Sequence, residues 1–121
     1  MKQPLALHFF GIPNCTTVKK ARAWLVVHSH DFMFHDFKKE AVDAAWLRKV
    51  IAQTGWEALV NTRGTTWRKL SDADKAGVTD AASAIALMQA QPSVIKRPVL
   101  DIDGHYHIGF SEEQYQSLFG A

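Results

Sequence analysis

Cys15 is the residue best suited to chemistry, and it is the only cysteine in the 121-residue chain. It follows a turn that contains Gly11, Pro13 and Asn14, and it precedes a periodic run that predicts a helix. A helix N-terminus offers free backbone N–H groups and a favourable dipole to an anion. Both lower the pKa of a thiol and increase the population of thiolate, the nucleophilic form. Cys15 is therefore a candidate nucleophile; the alternative is a small buried hydrophobic residue, as free cysteines often are.

A polar, basic stretch centred on a glycine is the second candidate region. Residues 61–69 have little periodicity and include Arg63 and Arg68. Loops on a rigid scaffold often carry function, although a solvated connector would have the same composition.

The six histidines include two pairs spaced by two residues. No cysteine or convincing third ligand accompanies either pair, so we expect no metal site.

The bulk composition argues against several classes of protein. The hydrophobic fraction of 47% suits a globular domain, and a net charge of +2 without a long basic block argues against direct binding of nucleic acid. No apolar run approaches the roughly 18–20 residues of a membrane span, and we see no signal-peptide pattern. A single cysteine cannot form an internal disulfide, so we expect a cytoplasmic protein.

The hydrophobic pattern predicts four strands and several helices. Predicted strands cover residues 5–10, 32–37, 95–102 and 105–109, and predicted helices cover about 16–28, 43–54, 56–60, 71–76, 80–90 and 111–119. The first strand, helix and second strand form a βαβ unit with parallel strands. Asp103-Gly104 predicts a tight hairpin between the last two strands. The prediction is an α/β, thioredoxin-like order with a mixed four-stranded sheet, in one domain spanning residues 1–121 with an all-helical insert at about 43–91.

Long motifs of the sequence resemble the arsenate-reductase-like (ArsC) family, whose superfamily also contains the Spx-type transcriptional regulators. The matching stretches are FGIPNCTTVKKAR (residues 10–22), FHDFKK (34–39), GWEALVNTRGTTWRKL (55–70), IKRPVL (95–100) and GFS (109–111). They span nearly the whole chain, and the resemblance is closest to the YffB-type branch. It implies a thioredoxin-like fold and identifies Cys15 with the catalytic cysteine of the family.

The resemblance also implies the surroundings of that cysteine. Arg63, from the insert, and Arg97, from the Arg-Pro motif, match arginines that bind an oxyanion in arsenate reductases of the family. Both could equally bind the two carboxylates of glutathione. The Arg97–Pro98 peptide is expected to be cis.

Three residues near the cysteine complete the predicted site. Asn14 and Thr16 are expected to shape the loop and to bring hydrogen-bond donors near the sulfur. Lys19 is a further candidate for anion binding, although a solvated helix face explains it as well.

Three positions depart from the patterns of the relatives. Gly11 stands where arsenate reductases of this type have a histidine, and their third arginine would fall near Gly109. Both departures argue against arsenate as the physiological substrate. Val18 stands where Spx-type regulators have the second cysteine of a Cys-x-x-Cys switch. With one cysteine, whatever Cys15 captures must be released by a thiol from outside the chain.

The favoured hypothesis is a monomeric, glutathione-dependent thiol/disulfide oxidoreductase. The resemblance implies glutathione, or another small thiol, as co-substrate, with no permanently bound cofactor and an anionic or disulfide substrate. One alternative is arsenate reduction. Another is an Spx-like partner of RNA polymerase without catalysis, and a third is a thioredoxin-like binding domain with a vestigial cysteine.

Overall fold

The computed structural model describes residues 7–120, which form four strands, seven α-helices and one 3₁₀ turn. In chain order they are β1 (Leu7–Gly11), α1 (Thr16–Val27), β2 (Met33–Asp36), α2 (Ala44–Thr54), α3 (Trp56–Leu59), α4 (Thr65–Arg68), α5 (Asp72–Ala76), α6 (Ala81–Ala90), the 3₁₀ turn (Pro92–Val94), β3 (Val99–Ile102), β4 (His105–Ile108) and α7 (Glu112–Phe119). They divide into two compact units: the first runs to Asp36 and resumes at Arg97, and the second is Phe37–Lys96. Within the described residues, no helix combines the length and the apolar character that crossing a membrane requires.

The first unit is built on a mixed four-stranded sheet with the strand order β2-β1-β3-β4. β1 runs parallel to β2 and antiparallel to β3, which pairs antiparallel with β4. Parallel strands cannot be joined by a tight turn, and α1 supplies the required crossover. In this register Phe9 lies opposite Phe34 on one side and Leu100 on the other. The predicted βαβ unit, terminal hairpin and mixed sheet are confirmed.

Residues of the sheet, α1 and α7 share one hydrophobic core in this unit. Its members are Phe9, Val18, Ala21, Trp24, Leu25, Leu100 and Tyr115. Four of them come from α1 at spacings of three and four residues, so one stripe of that helix is buried while Lys19 and Lys20 are exposed. This packing fixes α1 in place, and it thereby fixes the residue that begins the helix, Cys15.

The second unit is all-helical. Helices α2 and α6 pack against each other and bury Leu47, Val50 and Met88 completely. The Asp43 side chain caps α2 by accepting a hydrogen bond from the Ala45 N–H, and Asp80 begins a capping box at α6. The predicted starts of both helices are therefore confirmed.

Two regions differ clearly from the sequence predictions. Strand β3 begins at Val99 rather than Ile95, because Ile95 instead forms an isolated antiparallel bridge with Val60 in the second unit. The stretch 61–69 contains the single helical turn α4, which is too short to show a hydrophobic period. Two residues of the predicted first strand, Leu5 and Ala6, lie outside the described residues.

Candidate active site

Cys15 is the N-cap residue of α1 and is partly exposed. Its backbone is extended, with φ −131° and ψ 127°, and its carbonyl accepts the first helical hydrogen bond from the Lys19 N–H at 2.9 Å. The thiol makes no capping hydrogen bond of ordinary geometry. The N–H groups of Thr17 and Val18 nevertheless act on the sulfur and favour its thiolate form. The predicted location of a thiol at a helix N-terminus is therefore confirmed.

Gly11 ends β1 and determines how closely the strand approaches α1. A Cβ atom at this position would lie 2.9 Å from Cγ2 and 3.4 Å from Cγ1 of Val18. Val18 is fully buried in the core, so it has little room to move. The close approach explains why glycine occupies this place, and it leaves no space for the histidine that arsenate reductases have there.

Arg97 is the residue of the first unit that the structure brings to the sulfur. It lies two residues before β3, and its guanidinium acts on the Cys15 sulfur as a hydrogen-bond donor and as a positive charge, both of which favour the thiolate. The Arg97–Pro98 peptide is cis, as expected, and the Pro98 carbonyl accepts a hydrogen bond from the Gly109 N–H at 2.8 Å. The Arg-Pro segment is thus held between β3 and the residue that follows β4.

Opposing effects determine the pKa of the Cys15 thiol. Partial burial is the largest single effect, and it raises the pKa. The Val18 N–H, the guanidinium donors and positive charge of Arg97, and the Thr17 N–H all lower it, because each favours the thiolate. The lowering effects together outweigh burial, so the pKa of Cys15 lies below its ordinary value. The thiolate is therefore more abundant at neutral pH than it would be in an unstructured chain.

The other predicted residues near the cysteine are exposed. Asn14 lies in the turn before Cys15, Thr16 is the first residue of α1, and Lys19 points to solvent from the first turn of the helix. No contact of these three side chains with the sulfur is seen among the described residues, and their roles in anion binding stay predictions. The sequence predicted that free N–H groups at the start of the helix would favour the thiolate without saying which ones. The structure identifies them as the N–H groups of Thr17 and Val18, two and three residues after the N-cap.

Arg63 belongs to the second unit, whereas Cys15 and Arg97 belong to the first. Its side chain is exposed, and its backbone N–H donates to Oδ1 of Asn61 at 3.2 Å, which shapes the turn before α4. A Cβ atom at Gly64 would lie 2.8 Å from Nδ2 of the same asparagine, so this turn is tightly packed. The part of Arg63 in anion binding stays a prediction.

Two further features bear on the predicted chemistry. Within residues 7–120, no group of three or more histidine, cysteine, aspartate or glutamate side chains is placed so that it could hold a metal ion. Gly109, near the place of the third arginine of arsenate reductases, has φ 83°. A residue with a side chain rarely adopts this conformation, so the backbone disfavours an arginine there.

Comparison with known proteins identifies a family and several similar solved structures. The ArsC family profile matches residues 10–118. A solved structure of a YffB protein is 46% identical, with a TM-score of 0.88, and covers 93% of this chain and 97% of its own. A solved structure of an arsenate reductase (ArsC) related protein from Brucella melitensis is 45% identical, with a TM-score of 0.77 and full coverage of both chains.

A relationship to regulators is also found. The global transcriptional regulator Spx of Streptococcus pyogenes is 32% identical over 112 residues, which cover 90% of this chain and 81% of the regulator. The mixed four-stranded sheet with its helices is the thioredoxin-like fold of the ArsC-family relatives. The chain belongs to the ArsC family.

Proposed function

We propose that this protein is a glutathione-dependent thiol/disulfide oxidoreductase whose nucleophile is Cys15. The observation that carries the proposal is the pairing of a partly exposed thiol at the start of α1 with the Arg97 side chain, which lowers the thiol pKa. A thiolate held in this way attacks a disulfide sulfur readily, and its lowered pKa also makes it a good leaving group. Both properties are needed because the Cys15 sulfur is the nucleophile in the first step of the cycle and the leaving group in the second.

The cycle uses a mixed disulfide between glutathione and a second thiol as substrate. The Cys15 thiolate attacks the glutathione sulfur, so a Cys15–glutathione disulfide forms while the original disulfide bond breaks. The leaving thiolate takes a proton from water. A second glutathione, as its thiolate, then attacks the glutathione sulfur on Cys15, which releases the Cys15 thiolate and glutathione disulfide. Glutathione is the reductant, and no second cysteine of this chain is required.

Arg97 has two roles in the proposal. It stabilises the Cys15 thiolate before attack and whenever that thiolate leaves again. The exposed donors Asn14, Thr16 and Lys19 are proposed to bind glutathione carboxylates next to the sulfur, and Arg63 of the second unit is proposed as a further anion ligand.

We propose that the protein is a monomer and that it acts in the cytoplasm, where a pool of glutathione keeps thiols reduced.

Arsenate reduction is a second candidate, favoured by the kinship with the Brucella melitensis protein. It would use the same thiolate to attack an oxyanion beside Arg97. The close approach of Gly11 to Val18 and the backbone at Gly109 argue against it, because both disfavour the side chains that arsenate reductases have at or near these positions.

A regulator that binds RNA polymerase is the candidate from a different class, favoured by the kinship with Spx. In that role the chain would act without a disulfide switch, because residue 18 is valine. The redox state of Cys15 would then be irrelevant to binding.

The test is glutathione-coupled turnover of a glutathione mixed disulfide, compared with turnover of arsenate. We expect disulfide turnover that Cys15→Ser abolishes and that Arg97→Gln lowers strongly at neutral pH. Arg97→Lys should restore part of the rate, because it restores the charge without the planar guanidinium. Arg48→Gln, which removes an exposed cation of α2, is the matched control and should leave the disulfide turnover unchanged. Absence of disulfide turnover, or a stable complex with RNA polymerase that is indifferent to Cys15→Ser, would contradict the proposal.

A further inference from the structure

A groove of about 700 Å³ lies within the first unit, beside α1. Side chains of α1, from Thr17 to His28, form one side of it, and residues 110–112, at the start of α7, form the other. Its volume falls in the range of about 300–1,000 Å³ that ligand pockets occupy. It is partly open to solvent, so a ligand can reach it from outside the protein.

Cys15 does not line the groove, but residues next to its surroundings do: Phe110 follows Gly109, whose N–H bonds the Pro98 carbonyl beside Arg97. Thr17, at one end, is two residues after Cys15, and Val27, at the other end, is twelve residues after it. A helix rises about 1.5 Å per residue, so the far end of the groove lies roughly 18 Å from the cysteine along α1. Phe110, on the opposite side, packs against the same hydrophobic core as Cys15.

The floor of the groove is apolar. Trp24 lies in it with its ring stacked on His28 at a centroid distance of 3.9 Å, and Phe110 contacts Tyr115 edge to face at 4.6 Å. Val27 is 77% exposed, which makes it one of three large hydrophobic residues that are strongly exposed among residues 7–120. An apolar side chain of a bound ligand would cover this exposed valine at the end of the aromatic floor.

Charged and hydroxyl groups line the same groove. Lys20 supplies a cation from α1, Glu112 supplies a carboxylate from α7, and Thr17 and Ser111 supply hydroxyls. The carboxylate disfavours a purely anionic ligand, and the polar groups disfavour a purely apolar one. A mixture of donors and acceptors above an apolar floor suits a peptide, whose backbone alternates N–H and C=O groups.

We propose that this groove binds the peptide that flanks the cysteine of a glutathionylated protein substrate. The inference rests on the proposed function and deepens it, because it names the leaving group as a protein thiol. An extended peptide advances about 3.3 Å per residue, so roughly five residues cover the 18 Å from Cys15 to Val27. The preferred substrate therefore carries an aliphatic or aromatic residue about five positions from its cysteine. In the first step the thiolate of the substrate cysteine is the leaving group. It takes a proton from water while the rest of the peptide lies in the groove, and glutathione stays on Cys15.

The test compares two exposed valines of the same helix turn. Val27 lines the groove, whereas Val26, which is 66% exposed, does not. Val27→Asn and Val26→Asn make the same change without altering the net charge. The substrates are a glutathionylated peptide with leucine five positions from its cysteine, the same peptide with aspartate there, and the small mixed disulfide of glutathione with free cysteine.

We expect Val27→Asn to lower kcat/KM for the leucine peptide about tenfold, from the loss of one apolar contact. The small disulfide should be turned over as before, and Val26→Asn should leave both rates unchanged. The leucine peptide should also exceed the aspartate peptide in the unaltered protein. Equal rates for the two peptides, or equal effects of the two variants, would overturn the groove as a peptide site.

A binding measurement separates failure of this inference from failure of the proposed function. If not even the small disulfide is turned over, the oxidoreductase proposal fails by itself. The leucine peptide with serine in place of cysteine is then titrated while the indole N–H resonance of Trp24 is followed by NMR. A shift that Val27→Asn abolishes and Val26→Asn preserves supports the groove, and the absence of any shift overturns it.

Discussion

Replacing Gly11 with alanine tests the packing that shapes the cysteine turn. The added Cβ atom would lie 2.9 Å and 3.4 Å from the two Cγ atoms of Val18. Favourable carbon–carbon contacts lie at about 3.5–4.0 Å, so the nearer contact is too short by roughly 0.6–1.1 Å. Val18 cannot relieve it by rotation, because a valine in a helix has essentially one χ1 rotamer and this one is fully buried.

The expected cost of Gly11→Ala is that of overpacking a core, about 1–3 kcal/mol in the free energy of unfolding. In urea the midpoint should fall by roughly 1 M, given a denaturant dependence of about 1–3 kcal/mol per molar. The double variant Gly11→Ala/Val18→Ala should lose less than the sum of the single variants, with a coupling of about 1–2 kcal/mol, because the smaller side chain removes the clash.

Gly77→Ala is the matched control. Its φ is −74°, and its new Cβ atom would meet carbonyl oxygens at ordinary distances of 3.4 and 3.5 Å. An alanine there should be neutral or should stabilise by about 0.4–1 kcal/mol. The packing argument is refuted if Gly11→Ala is as harmless as Gly77→Ala, or if the effects at Gly11 and Val18 simply add.

Two further predictions follow from buried and titrating groups of the first unit. The Tyr115 hydroxyl is fully buried and makes no hydrogen bond within residues 7–120, so Tyr115→Phe should stabilise the protein by about 1 kcal/mol in thermal unfolding; a destabilisation of that size would show that the hydroxyl has a partner. Because the pKa of Cys15 is lowered on folding, the unfolded chain holds the thiol proton over a pH range in which the folded chain has lost it. The stability of the protein relative to Cys15→Ser should therefore rise from the folded pKa up to the ordinary thiol value of about 8.5 and then level off. Denaturant titrations across this range check it, and a stability difference that falls with pH would contradict the lowered pKa.

Much of the fold could be predicted because its signals are local. The apolar positions of α1 recur at helical spacing, and Asp103 and Gly104 both adopt positive φ in the tight turn that joins β3 to β4. The beginning of β3 was not predictable in this way. Ile95 has a strand-like sequence, but its pairing with Val60 depends on the tertiary structure of the second unit.

The candidate site was predictable in its residue types and less so in its contacts. The turn before Cys15 predicted the helix N-terminus. The resemblance to the ArsC family pointed to Arg97 as an anion ligand; that role stays a prediction, and the structure shows that Arg97 also lowers the pKa of the thiol. The sequence could not show which backbone N–H groups face the sulfur, because every residue except proline has such a group. The structure was needed to identify those of Thr17 and Val18. The steric reason for Gly11 was also hidden, since it depends on the distance between a strand and a helix.

The pKa of the Cys15 thiol is the measurement that tests the central claim most directly. It is obtained from the pH dependence of thiol alkylation, first in the unaltered protein and then in Arg97→Gln, with Arg48→Gln as control. We expect a pKa below the ordinary value of about 8.5, raised by Arg97→Gln and unchanged by Arg48→Gln. A pKa at or above the ordinary value, or one indifferent to Arg97, would contradict the account of Cys15 as an activated nucleophile.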